Sequence, residues 1–278
     1  MAKKNTEFSI VVEANSTQKE YYKDLFRYRE LFYLLAWRDI VVRYKQTFLG
    51  ILWALIRPLL NMTVFAFVFG KIANLPSGHV SYPLFVLAGM LPWQLFAGCL
   101  VDTSNSLLNN APMISKIYFP RLILPVTHIM VHCVDFFISL LLLLLVFLFS
   151  GYLTQWTILL LPFFIFLTLC LCLGTSLWLS AATVRYRDVR FIVPFLVQFG
   201  VFISPVGYSS FLLPETWRWL YFCNPMAGII EGFRWCCFGI YHPELPLAIA
   251  LSCLVNIGLL LTGFRFFRKI ERVLSDII

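Results

Sequence analysis

The chain has 278 residues, of which 60% are hydrophobic and 13% charged, and its mean hydropathy is +0.82. A soluble domain of this size cannot hide so much apolar surface, so the composition excludes one and points to an integral membrane protein. The net charge of +8 is spread over the ends of apolar runs rather than gathered in one basic module, which argues for membrane topology and against nucleic acid as a partner.

In chain order, residues 1–20 lack the continuous apolar core of a cleavable signal and are expected to form a cytosolic tail. Residues 21–46 are too charged to cross a bilayer. On a helical wheel Lys23, Arg27, Glu30, Arg38 and Lys45 fall within about 80° of one another, opposite Leu25, Tyr28, Phe32 and Ala36. This is the pattern of an amphipathic helix lying in the membrane interface, with a solvated linker helix as the plainer reading.

Six segments are long and apolar enough to span: 48–70, 82–101, 122–149, 156–184, 191–208 and 245–264. Together they define an all-α transmembrane domain over residues 48–267, followed by a tail at 268–278. With the N-terminus inside, 18 lysines and arginines fall on inner segments and three, Lys71, Arg218 and Arg234, on outer ones. That asymmetry orients both termini toward the cytosol. Arg57 is left inside the first span, where it either snorkels inward or meets a carboxylate such as Asp102.

Between the second and third spans, Pro112 can open a short helix and Pro120 closes it, so the segment reads as a projecting knob or as an ordinary loop. VRYRDVRF (184–191) becomes an inner turn between the fourth and fifth spans, with Asp188 placed to pair with one of its arginines. Residues 209–244 are aromatic but broken by Pro214, Pro225, Gly228, Gly232 and Gly239. Two short re-entrant helices in the outer leaflet are expected there, with Asn224 as an N-cap.

Ionisable residues inside a span are costly enough to raise a functional question. His128, His132, Asp135 and Ser139 share one helical face within about 60°. They form an interhelical polar stripe, a pathway-facing surface or, less economically, part of a zinc set that nothing else completes; no metal is expected. Glu231 and Arg234 are three apart and can pair, or act as a charged gate together with Trp217 and Trp219. Tryptophans near span ends, among them Trp53 and Trp93, are explained by interfacial anchoring or by stacking on sugar rings. Most of the eight cysteines sit in apolar runs as packing residues, while a bridge among Cys223, Cys236 and Cys237 stays open. No P-loop, zinc-helix, nucleophile-elbow or dinucleotide motif is present, so no catalytic residue and no cofactor is expected in this chain.

RYKQTFLGILWALIRPLL, YPLFVLAGMLPWQLF, NSLLNNAPMISKIYFPRLILP, LSAATVRYRDVRFIVPF and NPMAGIIEGFRW, in that order, resemble the permease subunits of bacterial polysaccharide ABC exporters of the O-antigen, capsule and teichoic-acid type. The resemblance implies a homodimer of six-span subunits in the bacterial inner membrane, paired with two copies of a separate ATPase subunit that binds ATP and magnesium. Its cargo would be an undecaprenyl-diphosphate-linked glycan. By position, it implies an interface helix at 21–46, a coupling helix at about 106–118 with Asn110, Met113, Lys116 and Tyr118 facing the ATPase, and outer gate helices at about 211–240. Arg43, Lys45, Arg185 and Arg187 are then placed at the entrance, where arginine and lysine can attract a diphosphate. An exporter of drugs or another small lipid is the rival within transport. A membrane glycosyltransferase is the rival outside it, and would need paired carboxylates on an inner loop.

Overall fold

The computed structural model describes residues 18–45, 50–150 and 156–272, and these are all-helical, without a strand. The charged N-terminal segment forms α1 (Gln18–Arg27) and α2 (Arg29–Lys45), broken at Tyr28, rather than one continuous helix. The first span begins as a 3₁₀ turn at Gly50–Leu52, continues as α3 (Trp53–Phe65) and loosens into π-helix at Ala66–Ile72. There follow α4 (Tyr82–Ser104), the single turns α5 (Ser106–Asn109) and α6 (Ala111–Ile114), and α7 (Ile123–Ser150). A 3₁₀ turn at Trp156–Leu160 leads into α8 (Leu161–Arg185), then α9 (Val189–Ile203), α10 (Glu215–Tyr221), α11 (Pro225–Phe238) and α12 (Leu245–Glu271).

Five helical stretches are long and apolar enough to cross a bilayer: Gly50–Ile72, Tyr82–Ser104, Ile123–Phe149, Trp156–Arg185 and Leu245–Glu271. Such helices close their own backbone hydrogen bonds, which is the condition for life in hydrocarbon. The segment expected as a fifth span over 191–208 forms only the 15-residue α9. The cause is Pro205, which disfavours helical geometry in the residue before it; Ser204 is accordingly extended, at φ −87° and ψ 150°. The chain then turns back, and the Tyr82 hydroxyl donates to the Gly207 carbonyl.

The second span is the axis of the bundle. Every residue from Phe85 to Trp93 is buried, because α3, α7, α8, α9 and α11 pack around α4. A helix apolar on all sides is one surrounded on all sides. The tightest pairing joins α8 and α12, where Gly174 lets the backbones close: a Cβ there would lie 2.9 Å from the Leu260 nitrogen.

Segments that the lysine and arginine distribution assigns to one side meet at one end. Leu35 of α2, Leu107 of α5, Ile114 of α6, Leu124 of α7, Val184 of α8 and Phe267 of α12 share a core cluster. Arg121 fastens this end, its backbone N–H donating to Glu271 Oε1 (3.0 Å) and its guanidinium to the Glu271 carbonyl (2.6 Å). At the opposite end α11 is inserted among α4, α8 and α12, with Asn224 capping it by accepting from the Met226 N–H at 3.0 Å. By contrast α10 buries none of its residues. All eight cysteines are free, so no bridge forms among Cys223, Cys236 and Cys237.

Candidate functional site

The polar stripe of α7 meets partners from three other helices. Arg43 of α2 reaches between two carboxylates, with Nη2 2.7 Å from Asp135 Oδ2 and Nη1 3.5 Å from Asp102 Oδ2. His132 Nε2 lies 2.7 Å from the same Asp102 oxygen. The Tyr44 hydroxyl donates to Asp135, and burial together with that carboxylate pushes its phenol above the ordinary tyrosine value. Ser139 Oγ donates to the Ala54 carbonyl of α3 at 3.1 Å, and His128 Nδ1 stands 3.8 Å from Asp39. Gly98 on α4 makes room for the imidazole, since a Cβ there would come within 2.5 Å of the His132 ring. The stripe therefore ties α2 to the second and third spans. The histidines turn to different carboxylates instead of sharing one point, and no group of three or more potential metal ligands is found among the described residues.

This network forms one wall of a cavity of about 610 Å³ between α3, α4, α7 and α9. Trp53, Arg57, Asn61 and Phe65, one turn apart along α3, make a second wall; Trp93 and Gln94 of α4 a third. Toward the basic end a smaller cavity of about 320 Å³ lies between Asp39, Asn105, Asn109 and His128. Arg43, Val101 and Asp102 line both, so the Arg43–Asp102 pair stands between the two.

Other expected site residues are placed differently. Asp102 is held by Arg43 and His132, not by Arg57, which lies 6.0 Å from the Trp53 ring. Asp102 belongs to α4, close to where α2 crosses, and Arg43 reaches it first. Among the described residues no hydrogen bond or ion pair joins Arg43 and Lys45 to Arg185 and Arg187 at the α8–α9 turn. That turn is closed by the Val189 N–H donating to the Tyr186 carbonyl (3.1 Å). Arg185 stacks on Tyr186 and Arg190 on Phe191, at 5.4 and 4.6 Å. Asp188 starts α9 without a side-chain bond to any of these arginines.

The connection at 106–118 is two separate turns rather than one helix, because Asn110, at φ −103° and ψ 15°, leaves helical geometry and its amide donates back to the Ser106 carbonyl at 2.8 Å. Met113 packs inward, whereas Lys116, Ile117 and Tyr118 project from the protein. The residues expected at an outer gate also divide. Trp217 and Trp219 are exposed at 63% and 61%, while Glu231 and Arg234 are sealed in the bundle and paired at 3.5 Å. Arg234 further donates to the carbonyls of Val206 (2.7 Å) and Tyr208 (2.9 Å) and lies 3.6 Å over the Phe85 ring. Glu231 accepts from the Ser210 N–H and hydroxyl at 2.7 and 2.8 Å.

Tyr44, Asn61, Gln94 and Gly98 were not singled out by sequence. Asn61 and Gln94 carried the signal that marks polar side chains inside a span, and Gly98 had none, because its role depends on a ring from another helix.

Membrane-length helices packed around a cavity that combines arginines, carboxylates and tryptophans form the membrane-embedded part of a transport system. The chain belongs to the ABC-2 type transporter family, whose sequence model matches residues 30–238. It is similar to the O-antigen export system permease protein RfbA of Myxococcus xanthus, 28% identical over 243 residues, covering 86% of this chain and 91% of the relative. It also resembles the protein of that name from Klebsiella pneumoniae, at 27% over 256 residues (90% and 95%). A third relative is the polysialic acid transport protein KpsM of Escherichia coli, at 24% over 206 residues (71% and 77%).

Proposed function

We propose that this chain is the membrane permease of an ATP-driven exporter that moves a lipid-linked polysaccharide, of the O-antigen kind, out across the bacterial inner membrane. The observation that carries the reading is the likeness to O-antigen export permeases along nearly the whole of both proteins. The physical requirement agrees with it: a diphosphate and a chain of hydroxyls do not enter hydrocarbon without a protein path. Two copies of the chain face one another, with the apolar outer faces of α3 and α9 shared between lipid and partner subunit; α3 buries only Ala54 and Pro58 within one copy, and α9 only Val193. Two copies of a separate ATPase subunit bind ATP and magnesium and push on the 106–118 connection, where Lys116, Ile117 and Tyr118 stand exposed beside Asn110 and Met113. Both termini lie in the cytosol, and Arg43, Lys45, Arg185 and Arg187 belong to the mouth through which the lipid-linked glycan enters. The exposed tryptophans of α10 lie at the exit, with the buried Glu231–Arg234 pair behind them.

Deleting the chain in its host tests this reading. The undecaprenyl-diphosphate-linked glycan should accumulate in the cytosolic leaflet and the surface polysaccharide disappear, with both restored by the plasmid-borne chain. Unchanged surface polysaccharide in the deletion strain refutes it.

A further inference from the structure

We propose that the larger cavity is a phosphate-binding site and that Arg57 is the residue that takes the anion. Arg57 lies seven residues beyond Gly50 in a membrane-length helix, about 10 Å along it at the helical rise. A cation at such a position is retained against a considerable cost and calls for a counter-charge. Arg57 is exposed in the single chain, and none is supplied among its described residues. Both nearby carboxylates are engaged: Asp102 by Arg43 and His132, Asp135 by Arg43 and Tyr44. Arg57 makes no hydrogen bond or ion pair among the described residues, and its guanidinium rests 6.0 Å from the Trp53 ring.

The cavity that Arg57 lines also holds Asn61, one turn further along the same face, and Gln94 across from it on α4. Asn61 makes no hydrogen bond among the described residues, and Gln94 has only a 4.0 Å approach to the Met90 sulfur. Guanidinium and two carboxamides are together a set of unused N–H donors facing one space. A phosphate, with several acceptor oxygens and a fork-shaped match to arginine, is the ligand such a set selects. A cation is disfavoured because both carboxylates are already occupied. The surrounding walls, with Trp53 and Trp93, suit an apolar chain attached to that phosphate.

Two sources share this chemistry: the diphosphate of a polyprenyl carrier and the headgroup of an anionic bilayer lipid. The site itself stands on geometry and rests on the export reading only for the first of these sources. The test is equilibrium binding of farnesyl diphosphate to the full chain in phosphatidylcholine nanodiscs. The wild type should bind saturably. Arg57→Gln should weaken binding at least tenfold and Arg57→Lys by threefold or more, since lysine keeps the charge and loses the fork. Lys71→Gln, an exposed cation at the far end of the same span, should bind as the wild type does. If Arg57→Gln does not fold, as read by size-exclusion elution, Arg57→Lys carries the test. Wild-type affinity in the folded Arg57 variants, or no saturable binding by the wild type, overturns the proposal. Phosphatidylglycerol in the discs that competes fully assigns the site to bilayer lipid; failure to compete assigns it to the diphosphate carrier, and either result supports a phosphate site. If Arg57→Gln loses binding in vitro while its host keeps normal surface polysaccharide, the site stands and its link to glycan export fails.

Discussion

Replacing Arg234 by alanine gives the sharpest test of how the α10–α11 end of the bundle is held. The guanidinium is completely buried, paired with Glu231 at 3.5 Å, bonded to the Val206 and Tyr208 carbonyls at 2.7 and 2.9 Å, and stacked 3.6 Å over Phe85. It thus fastens α11 to α4 and to the stretch that follows α9. Removing it strands the Glu231 carboxylate in a site 2% exposed, and breaking a buried pair on one side costs about 3–5 kcal/mol. At roughly 2–4 °C per kcal/mol for a chain of this size, the melting temperature should fall by about 6–20 °C. Detergent-solubilised full chain, heated in steps and run on size exclusion, reads this as earlier loss of the monodisperse peak. Glu231→Gln/Arg234→Met, which removes both charges, should recover part of the loss because no unpaired ion remains. Arg234→Ala melting within about 2 °C of the wild type refutes the account.

Arg43→Ala should free α2 from α4 and α7: losing charge-assisted bonds of about 1.5–3 kcal/mol predicts roughly ten- to hundredfold faster hydrogen exchange in Arg29–Lys45, with α12 amides unchanged. Lys116→Glu/Tyr118→Ala changes only exposed side chains, so stability should stay within about ±0.5 kcal/mol of the wild type while ATP-driven export is lost. A water-soluble maleimide should modify the exposed Cys223 ahead of the half-buried Cys170 and Cys253 on the folded protein and reach the buried Cys99, Cys133, Cys172, Cys236 and Cys237 only after denaturation, as counted by intact mass. Gly98→Leu, which drives a side chain into the His132 ring, should destabilise the chain by at least the roughly 1–3 kcal/mol typical of overpacking, read in the same melting assay.

Five of the six expected spans were legible because hydropathy and length are local quantities, and the bilayer imposes them segment by segment. The α7 stripe was legible for a similar reason: His128, His132, Asp135 and Ser139 advertise a shared face through spacing alone. What they face was not. Arg43 and Asp102 are 59 residues apart, and no periodicity says that α2 reaches the end of the second span at that point. Of the two readings of Arg57, pairing with Asp102 failed on this account, since two arginines competed for one carboxylate and only packing decides between them. The break at Asn110 and the early end of α9 at Pro205 were written in single residues, but they were overridden in the reading by the longer hydrophobic and amphiphilic patterns around them. The separation of Trp217 and Trp219 from Glu231 and Arg234 depends on which of two adjacent short helices the bundle swallows, and composition favours neither.

The shortness of α9 has a consequence for the lipid. Fifteen residues rise about 22 Å, against a hydrocarbon layer of about 30 Å, and both ends are pinned: one by the arginine-bearing turn at 185–190, the other by the carbonyls of Val206 and Tyr208 that Arg234 grips. The helix cannot lengthen to meet a thicker membrane. Along this flank the bilayer therefore has to thin, or the connection after Ile203 has to sit below the lipid surface, each at a fraction of a kcal/mol per ångström of mismatch. Acyl-chain length thus enters the energetics of this protein through one helix, independently of any nucleotide.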